Sequence, residues 1–183
     1  MIQIRPAVIA DAAELSRLYT ENREFLRPWE PVRDETFFTK DGQEARLAIG
    51  EAARAAGIEN RCVIVAPSGE VDAGGPSEIV GMISLTAIER GPVQGAHLGY
   101  WVAQSANGRG VGSAAVAAVL DLAFGELGLH RLEAGTLLHN AGSQKVLLRN
   151  GFEEIGVARR YIRIAGQWQD HLLFQRLAHD DES

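Results

Sequence analysis

The sequence predicts a mixed α/β domain, a sheet with helices packed on its faces. Three observations carry this. Short β-rich runs recur along 183 residues, segments of helical spacing separate them, and two of those segments are introduced by glycine- or asparagine-marked turns. The length suits one domain spanning 1–183. Hydrophobic residues make up 46% and charged residues 23%, which argues against a disordered chain. The net charge of -6, with no run of Lys or Arg, argues against a nucleic-acid surface, although an acidic whole can still hold one basic pocket.

The elements follow in order. Gln3 to Arg5 reads as a strand closed by Pro6. Asp11 with Glu14 three residues later looks like an N-cap with its reciprocal carboxylate, opening a helix whose apolar face is Ala12, Leu15, Leu18 and Tyr19. The loop from Phe25 to Pro31 carries two prolines around Trp29-Glu30. Asp41 to Glu44 repeats the cap signal for a second helix, with Leu47, Ala48, Ala52 and Ala55 on its apolar face and Gly57 at its end. Arg61 to Ala66 and Ile79 to Ala87 read as a long hairpin, with loop chemistry from 67 to 76 between them.

Ala96 to Val102 is a further strand, followed by Asn107-Gly108-Arg109-Gly110-Val111-Gly112 and an apolar helix from Ser113 to Glu126. Arg131 to Leu138 is the next strand, and Ser143 to Asn150 a short helix stopped by Gly151. Val157 to Ile164 and Leu172 to Arg176 close the domain around Gly166, and the tail from 179 is expected to fray. The single cysteine, Cys62, lies in an apolar strand and reads as a buried hydrophobe, since no internal disulfide can form. The start lacks the basic and apolar regions of a signal peptide, and no stretch is long enough to span a membrane, so a cytoplasmic protein with no membrane partner is the default expectation.

Strand, glycine loop and helix form an anion-binding order. The free N–H groups of a helix start point along the positive end of its dipole. Gly108, Gly110 and Gly112 keep side chains off that backbone, and Arg109 offers a charge to a pyrophosphate. The Walker and Rossmann patterns do not fit this spacing. The histidines lack metal-ligand spacing, so no metal is expected.

Asn107-Gly108-Arg109-Gly110-Val111-Gly112 resembles the acetyl-CoA pyrophosphate loop of the GNAT superfamily of N-acetyltransferases, Gln/Arg-x-x-Gly-x-Gly/Ala, with Asn107 departing from the usual Gln or Arg. Three further patches resemble the RimJ/RimL type, the ribosomal-protein-alanine N-acetyltransferases. They are Phe25 to Glu35, His139 to Ser143 with Asn150-Gly151-Phe152, and Gly166-Gln167-Trp168-Gln169-Asp170-His171. The resemblance implies a GNAT-like fold, with a mostly antiparallel mixed sheet of six to seven strands and about four flanking helices. A splayed strand pair would form the acetyl-CoA cleft. Acetyl-CoA is then the co-substrate, and the acceptor is the N-terminal amine of a ribosomal or other protein beginning with a small residue such as Ala.

The same resemblance implies site residues. Trp101 and Val102 would present backbone groups to the pantetheine arm and the thioester oxygen. Residues Asn107, Gly108, Arg109, Gly110, Val111, Gly112 and Ser113 would hold the pyrophosphate, and Asn140 the cofactor arm. Ser143 would approach the sulfur as general acid. Trp29, Glu30, His139 and Trp168 would border the acceptor. Glu30 binds the acceptor first and serves as base second, with Glu133 or water as the other candidates for base. A small-amine acceptor, a non-catalytic acyl-CoA-binding module and a homodimer all remain compatible with the residues.

Overall fold

A computed structural model describes residues 1–67 and 77–178. The loop expected after Pro67 and the expected fraying of 179–183 lie outside the described residues. One seven-stranded sheet runs β1 (Gln3–Pro6), β2 (Asn60–Pro67), β3 (Ser77–Glu89), β4 (Gly95–Val102), β5 (Arg131–Leu137), β7 (Gln167–Leu177), β6 (Glu153–Ile164) in spatial order. Every pairing is antiparallel except β4 with β5. That parallel step follows from the helical crossover between them, because two parallel neighbours need a long connection.

The helices are α1 (Ala12–Glu21), the single turn α2 (Arg23–Leu26), α3 (Lys40–Ala55), α4 (Val111–Leu120) and α5 (Ala141–Arg149). The expected order of elements holds, with α4 beginning two residues earlier than expected and running on to Glu126 as a π-helical turn. Helices α1 and α3 cover one sheet face, packing Leu15, Leu18, Tyr19 and Leu47 into a cluster with Val63 of β2. Helix α4 covers the other through Val111, Ala115, Val116 and Val119 against Ile83, Leu98 and Phe174. Among the described residues, no helix is long and apolar enough to cross a membrane.

Two cap expectations are corrected. Asp11 does not cap α1. Its carboxylate instead accepts from the Val8 N–H and pairs with Arg5 at 2.7 Å, while Glu14 reaches across to accept from the Ile79 N–H of β3. Helix α3 is capped by Thr39, whose hydroxyl accepts from Gly42 N–H, which shifts its start ahead of Asp41. The face it buries is Gln43, Leu47 and Gly50, leaving Ala48, Ala52 and Ala55 exposed. A buried amide is stable there because the Gln43 Nε2 donates to the Phe37 carbonyl.

Candidate active site

Strands β4 and β5 pair only over Gly95–His97 and Arg131–Glu133, then part. The Ala103 N–H donates to the Val80 carbonyl of β3. Antiparallel alternation then turns Trp101 and Gly99 to β3 and leaves the N–H and C=O of Leu98, Tyr100 and Val102 facing the gap. Within the expected pair Trp101 and Val102, the structure therefore gives the cleft-facing main chain to Val102, with Tyr100 beside it. Trp101 contributes its ring, whose indole N–H donates to Tyr19 at 2.9 Å.

The gap is a cavity of about 160 Å³ walled by Trp29, Glu30, Trp101, Thr136, Ser143 and His171. It opens into a groove of about 430 Å³ that runs over Val102, Asn107, Gly108, Gly110, Gly112 and Ser113 and under Lys145 and Arg149. Gly110 stands at the N-cap of α4 with φ 79°, and Gly108 has φ 74°, so the loop adopts a left-handed turn that glycine permits. Val111 begins the helix and is buried. Asn107 is exposed, and its side chain folds back on the strand end, Nδ2 donating to the Val102 carbonyl at 3.2 Å. The shorter amide thus ties the loop to the end of β4.

Asn140 caps α5, its Oδ1 accepting from the Ser143 N–H at 3.1 Å, which fixes the first turn where the gap and the groove meet. The Ser143 hydroxyl lies 2.8 Å from that of Tyr100. Burial pushes the Tyr100 hydroxyl up to about 12, with the Ser143 contact opposing, so Tyr100 stays protonated at neutral pH and keeps a proton to donate.

The Trp29-Glu30 loop is pinned by the Ala165 N–H, which donates to the Glu30 carbonyl at 3.0 Å. Burial raises the Glu30 carboxyl above its ordinary range, and the Arg33 and Arg46 guanidiniums pull it partly back. A raised folded pKa means that charging Glu30 costs stability once the pH climbs through the unfolded and then the folded value. Glu30→Gln is therefore expected to melt higher than wild type at pH 7, with the gap closing as the pH falls below the carboxylate range. Thermal melts at both pH values measure this, and a lower melting point for the variant at pH 7 contradicts it.

The expected residues divide. Trp29, Glu30, Trp101, Val102, Asn107, Gly108, Gly110, Val111, Gly112, Ser113, Asn140 and Ser143 all line the joined cleft. Arg109 turns the other way, into a hollow with Met1 and Glu78. His139 is exposed and stacks on Trp29, ring centres 5.4 Å apart. Trp168 is 63% exposed near the β6–β7 turn, where it faces Arg163 across the hairpin. Glu133 is held by Arg131 at 2.8 Å and does not line the cleft.

Three residues of the site went unread. Tyr100 sat in a strand pattern that reveals a face and not a partner, whereas His171 belongs to the Gly166–His171 segment that the resemblance sets beside the cleft. Lys145 and Arg149 did leave a signal, a basic i, i+4 pair on the helix that Asn140 opens. They supply the positive charge that Arg109 turns away from the groove.

A cleft between parted strands, leading from a glycine-rich helix start to a half-buried carboxylate, can seat a phosphate-bearing ligand with its far end beside that carboxylate. A family model described as the acetyltransferase (GNAT) domain matches residues 2–153, and the chain belongs to that family. It is an acetyl-CoA-dependent N-acetyltransferase, with acetyl-CoA as co-substrate.

The chain is 36% identical to the probable N-acetyltransferase YjcK of Bacillus subtilis, covering 99% of this chain and 96% of that one. It is 35% identical to the ribosomal protein uS5-alanine N-acetyltransferase of Escherichia coli, over 89% of this chain and 80% of that one. Its fold superposes on Mycobacterium smegmatis RimJ in complex with CoA-disulfide with a TM-score of 0.88 at 32% identity, covering 100% of this chain and 84% of that one. The mixed sheet and the splayed pair expected from the resemblance are present.

Proposed function

We propose that the chain acetylates the N-terminal α-amine of a protein, ribosomal or otherwise, whose first residue is small. The observation that carries this reading is the neck beyond Ser143. Its 160 Å³ between Trp29, Trp101, Thr136 and His171 must take the acetyl group and the amine as well as the first side chain, and that shared space favours Ala or Ser over an aromatic residue. The 35% identity to a ribosomal-protein alanine N-acetyltransferase supports the same class of acceptor.

Acetyl-CoA supplies an activated acetyl thioester. The α4 N-terminus, Lys145 and Arg149 would hold its phosphates, and of the gap-facing N–H groups of Tyr100 and Val102, which stand too far apart to share one oxygen, one would meet the thioester oxygen on which charge develops. Glu30 orients the incoming amine. An α-amine titrates near pH ~7.7 and is already partly neutral, so its proton leaves to Glu30 or to water. The amine nitrogen bonds to the acetyl carbon and its surplus proton passes to Glu30 or water; the carbon–sulfur bond breaks, and the Ser143 hydroxyl, 2.8 Å from that of Tyr100, gives the departing sulfur a proton that solvent water restores through the pair.

The test incubates the protein with acetyl-CoA and peptides beginning with Ala, Ser, Thr, Leu or Phe, beside small amines, and reads thiol release and product mass. Acetylation of the α-amine, favouring Ala and Ser, is expected, whereas product only from small amines overturns the reading. Ser143→Ala should lower kcat by roughly ten- to a hundredfold with the KM for acetyl-CoA nearly unchanged. Equal turnover in wild type and variant removes Ser143 from the chemistry.

A further inference from the structure

Past Glu30 lies a second hollow of about 370 Å³, lined among others by Val32, Arg33, Asp34, Phe37 and Arg46, and Arg33, 3.8 Å from Glu30, stands between it and the acceptor mouth. Arg33 and Arg46 come from different elements, the loop after Pro31 and α3. Each places its guanidinium 4.6 Å from the centre of the Phe37 ring. Two like charges have thus been gathered on one aromatic ring in a protein of net charge -6.

One carboxylate, Glu30, faces both charges and answers them only in part. Arg33 is nearest to Glu30 at 3.8 Å, too long for a hydrogen bond, and its buried Nε has no acceptor. No ion pair with Arg46 occurs among the described residues. Asp34 is spent locally, accepting from the Thr36 hydroxyl and the Phe37 N–H. The neighbouring Arg23 shows the contrast. It stacks on Phe38 in the same way but carries its own carboxylate, Glu35. A buried donor left open costs stability, and it persists where an outside acceptor meets it.

We propose that Arg33 and Arg46 form a carboxylate-binding subsite that reads an acidic side chain at the second or third residue of the acceptor peptide. The inference rests on the peptide reading above, with the amine held beside Glu30. An extended chain advances about 3.4 Å per residue, so a side chain one or two positions on from that amine reaches the adjoining hollow. The planar guanidinium fork suits a carboxylate, and the Phe37 ring holds both forks in place so that little ordering is lost on binding.

The experiment compares Ala-Ser-Glu and Ala-Ser-Gln peptides of otherwise identical sequence, with acidic and neutral residues also exchanged at position two. Two readouts are taken, kcat/KM for acetylation and calorimetric affinity for the CoA-bound protein. Wild type is expected to prefer the acidic peptides by about tenfold, and Arg46→Gln to collapse that ratio towards one, while Arg46→Lys keeps part of it. Acetyl-CoA affinity and melting temperature report on folding, and Arg33→Gln is the second variant should Arg46→Gln fail to fold.

Failure to acetylate any peptide overturns the function reading alone, since calorimetry still measures the acidic preference. Equal affinity for acidic and neutral peptides, or an equal loss of both in Arg46→Gln, overturns the subsite. Tighter binding of free glutamate than of either peptide assigns the carboxylate to a free amino acid and overturns the peptide.

Discussion

Gly110→Asp is expected to weaken acetyl-CoA binding by at least a hundredfold while leaving the fold nearly intact. Gly110 has φ 79° at the start of α4, and a Cβ built there meets nothing within 4 Å. The folded chain therefore bears only the left-handed strain of a non-glycine residue, about 1 kcal/mol. The ligand bears the rest. The new carboxylate stands at the helix start proposed to receive the pyrophosphate, and like charges brought together there cost several kcal/mol. Gly110→Asn separates the two effects, because Asn tolerates the same backbone and carries no charge. Calorimetry should show a modest loss for Asn and no measurable binding for Asp. Unimpaired binding by Gly110→Asp would move the phosphates away from this loop.

Gly81→Ala is expected to lower the melting temperature by about 5–10 °C, corresponding to roughly 2–3 kcal/mol for a domain of this size, and to weaken acetyl-CoA binding as well. Its methyl carbon would stand 2.2 Å from the Trp101 carbonyl oxygen and 3.0 Å from the Val102 Cα, and backbone cannot rotate out of the way as a side chain can. The strand that must yield is β4, whose free edge forms one wall of the cleft. Gly99→Ala on that same strand is the control, since its methyl meets only the Ser84 Oγ at 3.6 Å, an ordinary contact. A melting point for Gly81→Ala equal to that of the Gly99 variant contradicts the close approach.

The two predictions also mark how unevenly the site could be read. Gly110 announced itself, because a glycine-rich loop between a strand and an apolar helix is a local pattern with a local cause. Gly81 did not, since a glycine inside a β-rich run shows neither the bulge of β3 at Ile64/Val65 nor the carbonyl it must admit. The helix α3 misled for a similar reason. Three alanines at helical spacing carry little burial energy each, and the face was decided instead by Gln43 satisfying the Phe37 carbonyl and by Thr39 setting the start. Asp11 had the position of a cap, yet Arg5 of β1 offered it a charge-assisted bond at 2.7 Å. In the closing hairpin, Trp168 and His171 are three residues apart on one strand, so the pleat sends them to opposite faces, and it is His171 that reaches the cleft.

From residues alone one could read the order of strands and helices, the glycine loop at the start of α4, the cap at Asn140 and the loop holding Trp29 and Glu30, because each arises from interactions among neighbours in the chain. Tertiary structure alone settled the Tyr100–Ser143 contact at 2.8 Å, the bond from the Trp101 indole to Tyr19 and the meeting of Arg33 with Arg46 over Phe37. These unite groups from distant segments. Periodicity tells which face a side chain takes, but only packing tells what waits on that face.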